Sequence, residues 1–405
     1  MKSKILLSFF LFPSILLSQP VVYINFVSHN EPNEMLQNNL YYQAMKTKVL
    51  QLASIINTKG ASWNLETCDG FARGAYNNEP SPFVSNVFKT ITSGIYADNI
   101  EIDPRPKVSD SSSYNIADTW KYLDTLGCFP TQTLGGFLYY SQNPPVQGID
   151  WWRYQDTITG ITFPWIKWKA KLMWGAGSYQ PHTNDLNDYG IWKPHAPSNT
   201  NTLDSFYIHD PNKTVWYIGN GCQPINSLDS AKNINDILNP LRDFIDSIQT
   251  GLLPQNKFYV YSVTINQREF GNTLFQKISQ LCDTINNWGT SKIQWKKLTE
   301  KFTLFETWQT NTGLQYSQWN CGDVPNAIEE NEKNEMYIYP NPADQFLVFD
   351  SHDQNFHEVK LYNLFGQLLS VERYTGRMEI DIRHLPPGVY VAEVDGAVSR
   401  KIIKK

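Results

Sequence analysis

Polar side chains that could do chemistry follow four segments with the composition of buried strands. They are His29 and Glu31, Glu66 and Asp69, Glu101 and Asp103, and Asn266 and Glu269. Histidine and carboxylate groups together could hold a divalent metal ion that acidifies a water molecule. Two carboxylates across a cleft could instead act as acid and base, or as acid and nucleophile, on a glycosidic bond. We take His29, Glu66, Asp103 and Glu101 as candidate catalytic residues and leave the identity of any metal open.

A second candidate region, residues 141–213, is rich in tryptophan. Indole rings stack on the C–H faces of sugar rings, and nearby polar groups accept or donate hydrogen bonds to the hydroxyls. We take Trp151, Trp152, Trp192 and His209 as candidate binding residues; His209 precedes Asp210, and the two could form a pair at the rim of a site. Alternatively, many of these rings are buried and only hold a loop-rich segment together.

The elements that must position these residues alternate between strands and helices. The predicted strands are residues 21–29, 62–69, 99–103, 133–140, 214–221 and 257–265, with a last one from residue 293. The predicted helices are residues 34–56, 85–94, 115–127, 227–248 (kinked or broken at Pro240) and 272–288. Sustained alternation predicts an α/β fold with a parallel sheet, closed into an irregular (β/α) barrel of about seven strands over residues 19–320. In such barrels the working residues sit at the carboxyl ends of the strands.

Composition supports a globular, aromatic-rich chain. Of its 405 residues, 41% are hydrophobic and 18% are charged, which argues against disorder over most of its length. The net charge of −5 argues against a broad electrostatic nucleic-acid binder. Aromatic residues make up 14%, and all 13 tryptophans lie between Trp63 and Trp319, so the composition divides the chain in two.

The first 18 residues have the pattern of a signal peptide. Lys2 and Lys4 precede an apolar run over residues 5–17, and Ser18 suits the cleavage position. The run is shorter than the roughly 20 apolar residues that span a membrane, so we expect no transmembrane segment in the mature chain. Five cysteines are too widely spaced for a zinc site, and one or two disulfides are possible in an exported protein, with the pairing open.

The chain ends in a different kind of segment. Residues 321–335 are polar and acidic and are predicted to be a linker. Short alternating runs separated by turn residues follow, which predicts a small all-β, Ig-like sandwich over residues 336–405. The motifs YPNP (339–342), VKLYNLFGQLL (359–369), LPPGVYVAEV (385–394) and the terminal RKIIKK resemble the type IX secretion sorting domain of Bacteroidetes proteins. The resemblance implies the type IX machinery as a partner, passage through the periplasm, and release or display at the cell surface.

A second resemblance concerns residues 20–310. The segments VVYINFVSHNE, NIEIDPRPK, YNIADTWKYLDTLG, GNG and VYSVTINQREF resemble, in their order, the NodB-type polysaccharide deacetylases and related glycosidase barrels. Those deacetylases hold a metal with an Asp and two His, the His pair following the third strand. Here Arg105 and Lys107 stand in that region, and no His occurs between His29 and His182.

These observations lead to three functional hypotheses. The first is a secreted carbohydrate-active hydrolase, deacetylase-like or glycosidase-like, with a polysaccharide as ligand. The alternative is a non-catalytic glycan-binding surface protein on a decayed barrel, motivated by the missing His pair. A purely structural or adhesin-like surface protein is the third and predicts no concave site at the strand ends.

Overall fold

A computed structural model describes most of the chain, which divides into two compact units, residues 1–321 and residues 322–405. The described residues are 19–29, 34–106, 114–136, 151–175, 190–195, 206, 208–221, 227–319, 337–350, 356–363, 367–395 and 398–405. The predicted leader, the predicted linker, Glu31 and His182 lie outside them.

The first unit is a mixed α/β structure. Its described strands are β1 Val22–His29, β2 Trp63–Thr67, β3 Ile100–Pro104, β4 Thr133–Gly135, β5 Ile158–Thr159, β6 Lys167–Trp168, β7 Leu172–Trp174, β8 Gly190–Trp192, β9 Trp216–Ile218, β10 Ser227–Leu228, β11 Tyr259–Ile265, β12 Ile293–Trp295 and β13 Ser317–Gln318. Its described α-helices are α1 Asn39–Lys59, α2 Asp69–Asn78, α3 Val87–Ile91, α4 Ile116–Thr125, α5 Asn235–Gln249, α6 Asn272–Asn286 and α7 Leu298–Thr312. Short 3-10 turns occupy Glu34–Gln37, Gly94–Tyr96, Trp151–Gln155 and Gln267–Glu269.

Six strands form a parallel sheet in the order β10-β11-β1-β2-β3, with β12 joined to β1. The central strand, β1, pairs with β11 along its length, with β12 at its start and with β2 at its end. Because every pair is parallel, the carboxyl ends of these strands lie at the same edge of the sheet. Most side chains of β1 and all of those of β2 and β3 are buried.

A second sheet has the order β13-β8-β9-β7-β4, in which β4, β7 and β9 are parallel. Hydrogen bonds connect its two sides to the first sheet. The amide of Thr131, just before β4, donates to the carbonyl of Ile102 in β3 at 3.0 Å, and the amide of Ser262 in β11 donates to the carbonyl of Asn220, just after β9, at 3.0 Å. The predicted insertion therefore contributes β7, which pairs between β4 and β9.

Local signals set the ends of the helices. The Asn38 side chain accepts from the amide of Leu40 at the start of α1, and Gly60, with φ of 62°, ends the helix in the left-handed conformation. At the start of α4, Asn115 and Asp118 form a reciprocal capping box. These capping interactions set where α1 begins and ends and where α4 begins.

The segment after β9 differs from the prediction of one long helix from residue 227. Ser227–Leu228 instead form β10, because they pair with the end of β11. The helix begins at Asn235, and Pro240 lies inside it without breaking it. The cost of the lost backbone hydrogen bond is offset by an apolar face that is buried against the core. Its buried residues are Ile237, Leu238, Leu241, Phe244, Ile245 and Ile248.

The second unit is made of antiparallel strands. They are β14 Tyr337–Tyr339, β15 Phe346–Asp350, β16 Phe356–Asn363, β17 Leu368–Thr375, β18 Arg377–Asp381, β19 Gly388–Val394 and β20 Val398–Lys404. One sheet has the order β14-β15-β18 and the other β17-β16-β19-β20, and side chains of both share one apolar core. Among the described residues of the whole chain, no helix combines the length and apolar character needed to cross a membrane.

Candidate functional site

Three of the predicted catalytic residues form a row across the first sheet. His29 is the register partner of Glu66 in the pairing of β1 with β2, and Glu66 is the partner of Asp103 in the pairing of β2 with β3. Register partners on neighbouring strands point to the same face. The row lies at or near the carboxyl ends of its strands, where the sequence predicted a site.

His29 and Glu66 are in direct contact. The imidazole Nε2 lies 2.5 Å from Glu66 Oε2, and the Glu66 side chain is fully buried whereas 22% of that of His29 is exposed. The indole of Trp174, at the end of β7, packs edge-on against the imidazole with ring centroids 5.6 Å apart. The histidine is thus held at the solvent boundary by a carboxylate behind it and an aromatic ring beside it.

Glycines allow other strand ends to approach Glu66 closely. A Cβ added to Gly135 would stand 2.7 Å from both Cγ and Cδ of Glu66, a distance that real Cβ atoms do not show. Gly136, with φ of 76°, lies against both Arg105 and Glu66, and a Cβ on Gly175 would stand 3.3 Å from the Cα of Gly136. The end of β4 therefore packs over the carboxylate with backbone alone, and the end of β7 packs against that backbone.

A buried hydrogen-bond network lies next to this row. Asn25 Nδ2 donates to Asn64 Oδ1 at 2.9 Å, and Asn64 Nδ2 donates to Glu101 Oε1 at 2.6 Å and to Asp103 Oδ2 at 2.8 Å. Asp103 also accepts from the hydroxyl of Thr131. Burial, followed by the charge of Glu101, raises the pKa of Asp103 well above its usual value, and burial also raises the pKa of Glu101. The pair is therefore poised to keep a proton.

Lys301, in the first turn of α7, reaches into the same network and is fully buried. Its Nζ donates to Asn25 Oδ1 at 2.5 Å and to the carbonyl of Tyr261 at 2.8 Å. Burial lowers the pKa of Lys301 well below its usual value, an effect that the charge of Glu101 partly opposes. Ser262 Oγ connects Lys301 and Asn25 to Trp174, whose Nε1 donates to it at 3.1 Å.

The structure places Glu101, the fourth predicted catalytic residue, at the amino end of α7. Glu101 lies one layer away from the His29–Glu66 contact, because it precedes Asp103 by two residues on the same face of β3. Its carboxylate accepts from the amide of Thr299 at 3.1 Å and from the Thr299 hydroxyl at 2.5 Å, at the amino end of α7. An anionic side chain there stabilises the helix dipole, so Glu101 holds α7 in place.

The predicted binding residues are scattered. Trp192 is fully buried and its Nε1 donates to the carbonyl of Phe206 at 2.7 Å, so its ring is part of the core. Trp152 is partly buried against the same core. His209 stacks on Tyr316 with centroids 4.3 Å apart and lies near Trp216, the first residue of β9, at the opposite end of the strands from His29. The side chain of Trp151 lies outside the described residues.

The described donors around His29, which do not include Glu31, do not make up a metal-ion site. Within the described part of the chain, no group of three His, Cys, Asp or Glu side chains is placed to hold one. His29 Nε2 and Glu66 Oε2 are engaged with each other, and Asp103 is engaged with Asn64 and Thr131. We therefore derive no chemical step through a metal.

Several contributors to the site escaped the sequence analysis. Trp174 lies in the tryptophan-rich region 141–213, Lys301 follows the start of the last predicted strand at residue 293, and Gly135 lies in a predicted strand. The Gly135-Gly136 dipeptide at a strand end was a usable signal, because consecutive glycines there indicate close approach of another chain segment. Nothing in the sequence marks Lys301 as buried.

Comparisons with known proteins characterise the two units unequally. Residues 337–405 match the family described as the secretion system C-terminal sorting domain, which confirms the type IX resemblance. No curated protein matches the chain in sequence.

Two of the solved structures that overlap with the chain illustrate the likeness. A 4-alpha-glucanotransferase from Thermococcus litoralis shares 10% identity at a TM-score of 0.36, over 70% of this chain and only 38% of its own length. A protein from Mycobacterium smegmatis that is described as a polysaccharide deacetylase shares 7% identity at a TM-score of 0.38, over 72% of this chain and 92% of its own. These values are too low to carry a functional argument.

Proposed function

We propose that the chain is an exported hydrolase that removes acyl groups from a glycan; the sorting domain of residues 337–405 supports the export. The first unit carries the activity, and the second directs the protein through the type IX machinery to the cell surface or the medium. The signal-peptide pattern of residues 1–18 is consistent with entry into the periplasm.

In this proposal the parallel strands of the first unit form a closed seven-stranded barrel of β1, β2, β3, β4, β7, β9 and β11. The pairings within the two sheets, and the hydrogen bonds of Thr131 and Ser262 that connect them, support closure. His29 then stands at the mouth, where barrels of this kind do their chemistry. The second unit is an Ig-like sandwich.

The single observation that carries the chemistry is the contact of His29 with the buried Glu66. A histidine that is oriented by a carboxylate can take a proton from water as it attacks an acyl carbon, and return it to the leaving oxygen. The carboxylate stabilises the imidazolium that forms in between. A glycosidase would instead need two carboxylates across a cleft, whereas Asp103 lies beside Glu66 on the same face and is engaged in the buried network.

The test is acetate release from acetylated xylan, acetylated chito-oligosaccharides and acetylated cello-oligosaccharides. We expect His29→Ala and Glu66→Gln each to lower the rate by about 10²–10⁴-fold, the usual contribution of a general base. His195→Ala is the matched control, because His195 forms an exposed contact with Asp210 at 2.9 Å outside this row. Unchanged release in both site variants would refute the mechanism.

The second candidate is a non-catalytic glycan-binding protein. It is favoured by the absence of a His pair after the third strand and by the mutual engagement of His29 and Glu66. Under this alternative, the purified protein binds the same glycans, releases no acetate from any of them, and keeps its affinity when Glu66 becomes Gln.

A further inference from the structure

We propose that a chain of aromatic rings outside the His29–Glu66 contact is a binding surface for an uncharged polysaccharide. This aromatic surface consists of Tyr76, Phe83, Tyr114, Tyr122, Phe163 and Trp165. The choice of a glycan as the ligand of this surface rests on the proposed function. Binding of the glycan can be measured whether or not the protein hydrolyses it.

The rings form a continuous path. Ring centroids are 5.6 Å apart for Phe83 and Tyr76, 5.9 Å for Tyr76 and Tyr122, 5.2 Å for Tyr122 and Phe163, and 5.7 Å for Phe163 and Trp165. Tyr114 joins at Tyr122, also with centroids 5.7 Å apart. Four separate segments of the chain contribute to the path: α2, the turn before α3, α4 with the residue that precedes its cap, and the loop 161–165.

Several of these rings are exposed to solvent. Trp165 is 71% exposed, Phe83 53% and Tyr76 41%, and the neighbouring Ile161 is 55% exposed. Single exposed apolar side chains are common on protein surfaces, whereas a cluster of large ones marks a binding site. The edge-to-face contacts leave ring edges and faces turned in several directions, and three of the six rings carry a phenolic hydroxyl.

The most exposed part of the surface is held in place from beneath. The buried carboxylate of Asp118 accepts from the amides of Ile161 and Phe163, both at 2.8 Å, while it also caps α4. The loop that carries Trp165 is therefore fixed before a ligand arrives, which reduces the entropic cost of binding.

Two basic side chains at this surface are paired with carboxylates of the protein, which favours an uncharged ligand. Arg73 bonds to Asp69 at 2.6 Å and lies over the ring of Tyr114 at 4.3 Å, and Lys121 bonds to Asp124 at 2.9 Å. Rings and phenolic hydroxyls match the alternating C–H and O–H groups of a neutral sugar chain.

The surface also leads towards the candidate site. Asp69 is the first residue of α2, two residues after the end of β2, on which Glu66 lies. A polysaccharide lying along α2 and α4 would therefore extend to the strand ends near His29. The role of the aromatic surface would be to hold a long glycan close to the candidate site.

The test measures binding of the purified protein to insoluble cellulose, chitin and starch, and to soluble xylan by affinity electrophoresis. We expect binding to at least one of them, and weakening by about tenfold for Trp165→Ala and for Tyr76→Ala, as is typical for truncation of an aromatic anchor. Phe356→Ala removes an aromatic side chain that is 86% exposed in the other unit, and should change nothing. Tryptophan fluorescence and thermal melting confirm that the variants are folded.

Three results would overturn the inference: no binding to any neutral glycan, wild-type affinity in both aromatic variants, or binding only to an anionic glycan such as alginate. None of these depends on acetate release. Conversely, Glu66→Gln should bind like the wild type, so a protein that binds through Trp165 but releases no acetate refutes only the proposed hydrolysis.

Discussion

Gly135 and Glu66 pack so closely that the glycine has no room for a side chain. The position of a Cβ on Gly135 is 2.7 Å from Glu66 Cδ and Cγ and 2.8 Å from its Cβ, so the contact is with the base of the Glu66 side chain as well as with its end. The base of a side chain cannot move without its backbone. The orientation of the carboxylate towards His29 thus depends on the backbone of β4.

Gly135→Ala should therefore destabilise the first unit. Overpacking of this kind costs about 1–3 kcal/mol in the free energy of unfolding. Gly271→Ala is the control, because its Cβ would meet only a carbonyl oxygen at 3.8 Å. Urea unfolding followed by tryptophan fluorescence measures both, since all 13 tryptophans lie in the first unit. Equal stability of the two variants would show that β4 can shift away from Glu66.

Asp103 should make the stability of the first unit depend on pH. Its raised pKa means that the folded state holds the proton more tightly than the unfolded state. The free energy of unfolding therefore falls as the pH rises from about 4, near the pKa of an unfolded aspartate, towards the pKa of Asp103 in the folded protein. The fall is about 1.4 kcal/mol for each pH unit that separates these two pKa values.

Asp103→Asn should remove this slope, so the variant gains stability relative to the wild type as the pH rises. The amide can still accept from Asn64 and bond to the Thr131 hydroxyl. Urea unfolding at a series of pH values between about 4 and 8 measures the effect. The control is Asp283→Asn, which changes an exposed carboxylate paired with Lys59. Parallel curves for Asp103→Asn and the wild type would contradict the prediction.

The described cysteines should resist modification in the folded protein. The thiols of Cys68, Cys128 and Cys282 are buried, and burial raises the pKa of each, that of Cys282 to about 12. Thiolate is the reactive form, so Ellman's reagent at neutral pH should leave three of the five cysteines unmodified until denaturant is added. Modification of more than two thiols in the native protein would show that these sites open readily.

Removal of the second unit should stop export without unfolding the first. A chain that ends at residue 321 lacks the sorting domain of residues 337–405 and should accumulate in the periplasm, whereas the full chain reaches the cell surface or the medium. Cell fractionation with an antibody against the first unit measures the distribution. Equal amounts of truncated and full-length protein outside the cells would contradict the role of the sorting domain.

The parallel strands and the row of site residues were accessible to sequence reasoning. Continuous apolar runs predicted β1 and β11, and the polar residues that follow parallel strands predicted the neighbourhood of His29, Glu66 and Asp103. Register cannot be read from a single strand, so the direct contact of His29 with Glu66 could not be predicted.

The rest depended on tertiary contacts. β7 is only three residues long and lies among loops, so its pairing with β4 and β9 has no local signature. Glu101 has the residue type and strand position of a catalytic group, but its carboxylate accepts a hydrogen bond from the backbone at the amino end of α7. Trp192 had the composition of a sugar-binding residue, and burial removes it from the surface.

The bond between Lys301 and Asn25 joins residues 276 positions apart. Closing so long a loop is slow and unfavourable until most other contacts exist. A chain emerging from a narrow pore with its amino end first would therefore carry Asn25 without its Lys301 partner until α7 followed. The buried network around Lys301 is therefore incomplete during synthesis or threading, and it forms only after the last helix has been delivered to the same compartment as the first strand.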